Sequence, residues 1–167
     1  MTTLRRVLLA GLILAATSSA ATAQATIFLV RHAERSDGGG QGMAVDPPLS
    51  AAGRARATAL AAMLKDVKLT AVFATQFKRT QETAMPAAQG QHLTVTTIKS
   101  DQTGALVEKL KAANGAVLVV GHSNSVPAVI AALGITTPLT IADTEFDNLF
   151  IVMTGGDAPR MTRLRYR

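Results

Sequence analysis

The 167-residue chain has no cysteine and no tryptophan, and aromatic residues make up 4% of it. Without cysteine there can be no disulfide and no lipid attached at an N-terminal Cys, so neither device can stabilise or anchor the protein outside the reducing cytoplasm. Charged residues are sparse at 17%, and acids are the scarcer sign, with 11 Asp and Glu against 17 Lys and Arg. No internal repeat and no low-complexity tract divides the chain. Its length suits one domain with a continuous core and leaves little room for a second.

The first two dozen residues differ from everything after them. Arg5 and Arg6 precede an apolar run over 7–16, which gives way to small residues ending in Ala21-Thr22-Ala23. This is the three-part pattern of a secretory signal peptide, with an apolar run too short to span a bilayer permanently. The expectation is a signal peptide over 1–23 and a domain over 24–167; cleavage after Ala25 also satisfies the small-x-small requirement. Removal of two arginines takes the formal charge from +6 to +4. The expected product is a periplasmic or secreted protein with no stable membrane insertion, whose field suits an anionic substrate or an anionic lipid surface.

From residue 26 onward, short β-rich apolar runs alternate with longer Ala- and Leu-rich segments, which predicts an α/β domain with a mainly parallel sheet between helices. Strands are expected at 26–30, 71–74, 93–98 and 116–120. Ser50 is placed to cap a helix whose stripe is Leu60, Met63, Leu64 and Val67. Further helices are expected at 80–88, with Pro86 ending it early or making it imperfect, at 104–113, and at 125–133, closed by Gly134. Runs at 148–153 and 161–166, joined through Gly155-Gly156-Asp157, predict a hairpin at the sheet edge. Arg163, Arg165 and Arg167 alternate along its last strand and share one face. A solvated face that discourages edge pairing is the plainer reading, and binding to nucleic acid or lipid phosphates the lesser one.

In an open parallel sheet, ligands bind beyond the carboxyl ends of the strands, where loops and helix N-termini converge. Arg31-His32 follows the first expected strand, Arg79 lies just past the second, Asp101 follows the third, and Gly121-His122 follows the fourth. Two forked, permanently charged guanidiniums can bind phosphoryl oxygens bidentately. A neutral imidazole can attack phosphorus, so His32 is a candidate nucleophile that splits hydrolysis into two easier transfers. A carboxyl group must then protonate the leaving oxygen.

The blocks Leu29-Val30-Arg31-His32-Ala33-Glu34, Leu49-Ser50-Ala51-Ala52-Gly53, Phe77-Lys78-Arg79-Thr80-Gln81-Glu82-Thr83-Ala84 and Val119-Val120-Gly121-His122-Ser123-Asn124 resemble, in order, those of the histidine phosphatase superfamily, also called phosphoglycerate mutase-like. The resemblance implies that His32 is the phosphorylated nucleophile, that Arg31, Arg79 and His122 form the phosphate pocket, and that His122 is a proton-bearing donor. It implies no metal and no cofactor. Ala33 replaces the more common Gly after the histidine, and no Glu stands where mutase members carry their proton donor. Asp101 is the candidate donor by position, and Glu34 the second, with ion pairing to the arginines as its other reading.

The plain readings differ residue by residue. Asp101 could instead cap a helix, and Arg79 could simply carry charge at a helix start, although the helix dipole opposes it there unless an anion is near. His92 lacks polar company and reads as a surface residue. Gly38-Gly39-Gly40 lacks the Gly-Lys-Ser/Thr ending and helix of a P-loop, which leaves a flexible loop. The expected function is metal-independent hydrolysis of phosphomonoesters or phosphohistidine through His32. The alternatives are a mutase-like phosphotransferase and a catalytically idle module that binds phosphate or lipopolysaccharide. A metal site at the two histidines is disfavoured because the arginines would repel a dication. The expected partner is a small phosphorylated substrate or phosphate rather than nucleic acid; oligomeric state is not readable.

Overall fold

Alternation along the strands decides which face of the sheet each side chain joins. The computed structural model of the chain describes residues 24–38 and 46–166. The expected signal peptide, Gly39, Gly40 and Arg167 lie outside these residues. In chain order the elements are β1 (Ala25–Arg31), α1 (Ala51–Met63), β2 (Leu69–Ala74), α2 (Lys78–Gly90), β3 (Val95–Thr97), α3 (Thr103–Lys111), β4 (Gly115–Gly121), α4 (Ser125–Ala132), β5 (Asn148–Met153) and β6 (Arg160–Arg165). They form one six-stranded sheet ordered β3-β2-β4-β1-β5-β6. The first four of these strands are parallel, whereas β5 and β6 are antiparallel to their neighbours and make the edge hairpin.

Ile27 and Leu29 of β1, with Val117 and Val119 of β4, pack among Leu106, Leu110, Val129 and Ile130 of α3 and α4. The intervening Phe28, Val30, Leu118 and Val120 pack on the opposite face with Leu60, Ala84 and Ala88 of α1 and α2. Strands buried on both faces carry near-continuous apolar runs, so the central pair was easy to read. The result is the expected three-layer α/β/α sandwich.

Ser50 caps α1, its Oγ accepting from Gly53 N at 3.0 Å. Two elements depart from expectation. Helix α2 runs through Pro86 to Gly90, because Thr83, Ala84, Ala87 and Ala88 form a buried face on both sides of the proline; this tertiary burial outweighs the lost helical bond. The expected strand at 93–98 shrinks to three residues, because the helix cap takes its start: Leu93 N donates to Ala88 O at 2.9 Å, and His92 N to Gln89 O at 3.1 Å. His92, at φ 56°, therefore occupies the left-handed position of a Schellman turn.

Candidate active site

The register of the two central strands sets the histidines side by side. Arg31 pairs with Gly121, the last residues of β1 and β4, and His32 N donates to Gly121 O at 2.9 Å. The rings of His32 and His122 lie 5.4 Å apart, centroid to centroid, at an interplanar angle of 66°. Arg31 continues the β1 alternation toward the α3/α4 face. Arg79 arrives from the first turn of α2 on the other face. All four side chains are buried, the most exposed at 9%.

Hydrogen bonds fix the tautomer of His32. Its Nδ1 lies 2.8 Å from Ala33 O, and a carbonyl oxygen can only accept, so Nδ1 carries the proton and the neutral ring keeps its lone pair on Nε2. Ala33 is held in turn by the hydroxyl of Thr83, which accepts from Ala33 N at 2.9 Å and donates to Arg79 O at 2.6 Å. His122 Nε2 meets Thr75 Oγ1 at 2.9 Å, and Thr75 Oγ1 meets Thr80 Oγ1 at 2.8 Å. Thr80 also reaches Phe77 O at 2.7 Å. When His122 is charged, both of its nitrogens must donate, so Nε2–H points to Thr75, Thr75 to Thr80, and Thr80 to the Phe77 carbonyl. This chain accommodates the imidazolium.

The arginines are braced from behind. Nη1 of Arg31 donates to Ala142 O at 2.8 Å and Glu145 O at 3.3 Å, while its Cζ sits 4.3 Å from the centroid of the Phe146 ring. Its Nε is buried and has no hydrogen-bond partner among the described residues. An unpaired buried N–H on a cation is costly unless an anion completes it. Arg79 lies over Phe77 at 4.3 Å, with Asp46 Oδ1 3.7 Å from its Nη1. Asp46 also accepts from Lys78 N, at 2.9 and 3.1 Å, at the start of α2.

The electrostatics follow from this crowding of cations. Burial, then His122 and the two arginines, push the His32 pKa down to about 3 against the opposing bond to Ala33 O. Burial and the arginines likewise push His122 down to about 4. Both rings are therefore neutral at neutral pH, beside two guanidiniums whose nearby carboxylates, Asp46 and Asp143, lie at 3.7 and 3.9 Å. The arrangement suits a tetrahedral oxyanion. Among the described residues, no group of three or more His, Cys, Asp or Glu could hold a metal ion.

Comparison with known proteins meets three of these four residues, His122 lying beyond the matched stretch. The family model described as histidine phosphatase superfamily (branch 1) matches residues 27–101, which span β1 to the turn before α3. Those 75 of the chain's 167 residues carry Arg31, His32 and Arg79 and are similar to that superfamily. No curated protein matches the sequence. The fold is shared with phosphoglycerate mutase from Bacillus anthracis str. Sterne, at TM-score 0.70 and 16% identity over 86% of this chain and 94% of that one. It is shared with the protein histidine phosphatase SixA complexed with tungstate, at TM-score 0.68 and 19% identity over 84% and 96%. A mycobacterial glucosyl-3-phosphoglycerate phosphatase follows, at 0.67 and 12% over 86% and 98%.

Neither candidate proton donor is among the buried residues that converge. Glu34 turns its carboxylate to Arg56, which donates through Nε at 2.9 Å to both oxygens and through Nη2 at 2.6 Å. Burial raises its pKa, but the Arg56 bonds outweigh that and leave it lowered, which suits an ionised brace rather than an acid. Its ion pair is with Arg56, not with the pocket arginines. Asp101 is exposed in the turn before α3 and does not cap it, since the cap position is Gln102. His92 is exposed, as expected. Sequence reasoning missed Thr75, Thr80, Phe77, Asp46 and the 142–146 turn. The threonines flanking Arg79 were a readable signal, because three hydroxyls at one helix start ask for partners.

Among the described residues no helix is long and apolar enough to cross a membrane.

Proposed function

We propose that the protein is a metal-independent phosphatase that hydrolyses small phosphomonoesters or phosphohistidine through a phosphoryl group carried on His32. One observation carries this reading: His32 has its proton on Nδ1, so the Nε2 lone pair is available beside two guanidiniums, one with an unpaired Nε. Arg31 and Arg79 bind the equatorial oxygens and stabilise their charge as the bond to the leaving oxygen breaks. Nε2 attacks in line; the P–O bond to the leaving group breaks as the N–P bond forms. Water then attacks phosphorus as the N–P bond breaks, its proton passing to the carboxylate that protonated the leaving oxygen, so that phosphate leaves and His32 returns to its neutral state. His122, charged once the anion is bound, donates to a phosphoryl oxygen.

Asp101 is the proton donor of this proposal. It follows Ser100, whose N and Oγ are tied to Gln76 next to Thr75, and so it sits on the rim two strands from His122. Asp101→Asn is expected to slow alkyl phosphates by about 10²-fold or more, the usual value of general acid catalysis, and to spare p-nitrophenyl phosphate, whose leaving group needs no proton. Equal loss on both substrates would remove Asp101 from this role.

The decisive experiment is a rapid denaturing quench with a substrate labelled in its phosphoryl group. Label is expected on His32 in wild type and absent in His32→Ala, with free phosphate as the product. Turnover without label would defeat the mechanism, and an isomerised substrate with little free phosphate would mark a mutase. Binding without turnover would mark an idle phosphate or lipopolysaccharide module.

We also propose that the protein is exported and cleaved after Ala23. Ala25 is buried in β1, its N donating to Thr154 Oγ1 at 3.1 Å, and Gln24 O accepts from Gly115 N at 3.1 Å. Cleavage after Ala25 would remove both contacts. N-terminal sequencing of exported protein decides between the two positions.

A further inference from the structure

The alternating arginines of β6 converge on one carboxylate. Glu145 Oε1 accepts from Arg163 Nη2 at 2.9 Å and from Arg165 Nη2 at 2.6 Å. Its Oε2 accepts from Ala142 N at 2.9 Å. The backbone of the same residue closes the turn, Glu145 N donating to Ala142 O at 2.9 Å. The two carbonyls of this turn, Ala142 O and Glu145 O, are the ones that hold Nη1 of Arg31, and Phe146 beside them supplies the ring under its Cζ. Arg163 Nε is itself fixed by Asn148 Oδ1 at 2.8 Å, and Arg165 Nη1 by Asp147. Arg163 and Arg165 are exposed, as the solvated-face reading expects, and their charged ends are engaged by Glu145 and Asp147.

We propose that Glu145, clamped by Arg163 and Arg165, is a positioning residue for Arg31, fixing the turn that aims the guanidinium into the anion pocket. This rests on the phosphate-pocket reading above. Exposed ion pairs of this kind contribute little to stability by themselves. Here, however, the carboxylate stitches two backbone positions and one strand into a single platform, and anion recognition is sensitive to small misplacements of the cation. The clamp predicts a selective loss of function through Arg31, with Arg79 unaffected.

The test has two arms. In the ligand-free protein, side-chain ¹⁵N NMR of Arg31 reports rotation about its Nε–Cζ bond, which is expected to be restricted in wild type and faster in Glu145→Ala. Calorimetric titration with sulfate is expected to give an affinity about 5- to 10-fold weaker in Glu145→Ala, within the coupling seen for residues of one network. Glu145→Gln, which keeps one acceptor oxygen, should recover part of this loss. Adding Glu145→Ala to Arg31→Ala should cost nothing further, whereas adding it to Arg79→Ala should cost the full factor. The Arg163→Ala/Arg165→Ala pair attacks the clamp from the other side and should move both readouts in the same direction, which covers a Glu145 variant that fails to fold. Unchanged Arg31 dynamics, or an equal sulfate loss with and without Arg31, would overturn the proposal. If wild type binds no sulfate, the phosphate-pocket reading falls, and the Arg31 dynamics alone decide whether the clamp exists.

Discussion

Hydroxyl groups determine what each histidine can do. The chain from His122 Nε2 through Thr75 and Thr80 ends on a carbonyl, so it can accept a proton's charge without leaving a donor unpaired. Thr75→Val keeps the shape and removes the acceptor. A buried donor left unsatisfied costs about 1–3 kcal/mol, so protonation of His122 becomes harder and binding of a dianion, which needs that proton, weakens by roughly tenfold at pH 6. Thr75→Ser should restore it. Sulfate titration of the three proteins checks this, and equal affinities would show that the relay is idle. The imidazoles and arginines were legible because they follow β-rich runs; Thr75 and Thr80 were passed over, although hydroxyls clustered around one helix start signal a need for partners.

Close approach between elements explains another of the sequence blocks. Gly53, three residues past the α1 cap, lies against the backbone of the β1–α1 loop, where a Cβ would stand 2.2 Å from Glu34 O. That same carbonyl accepts from Ser50 N at 2.9 Å, and Leu49 N donates to Glu82 Oε2 at 2.7 Å, so α1, α2 and the residues after His32 are locked together at one point. Gly53→Ala must push α1 away from Glu34. The expected cost is about 1–3 kcal/mol, as for overpacking, with a loss of sulfate affinity because Ala33 and His32 lie on the displaced segment; thermal unfolding and sulfate titration measure the two. An unchanged melting temperature would mean that the helix shifts freely. The hairpin was also legible as an element, and so was the exposure of its arginines, but not the carboxylate that they hold. Their carboxylate partner is 18 and 20 residues upstream, and the contact exists because the register sets Asn148 against Arg165, which alternation alone cannot reveal.

Across the whole molecule, the two faces of the sheet each deliver one arginine, and the pair of strands between them delivers two neutral histidines, so anion binding, protonation and stability are linked. Unfolded histidine titrates near ~6.5, while the folded values are about 3 and about 4. Between these limits the unfolded state binds protons that the folded state refuses, so stability rises with pH and is lost progressively as pH falls from near 6.5 toward the folded values. At pH 5 the pair is expected to withdraw on the order of 4 kcal/mol relative to pH 7.5, roughly 10 °C in melting temperature for a chain of this size. Carboxylates held below their ordinary range, such as Glu34, act at lower pH and do not blur this window. The His32→Gln/His122→Gln variant should therefore show a much flatter profile between pH 7.5 and 5. Sulfate reverses the sign locally: it stays a dianion throughout, favours the charged rings, and must bind with proton uptake, so its stabilising effect should grow as pH falls. Melting curves of both proteins at pH 5 and 7.5, with and without sulfate, measure all of this. A wild-type slope that survives removal of both imidazoles, or a sulfate effect independent of pH, would mean that the buried histidines are not the groups that couple anion binding to protons.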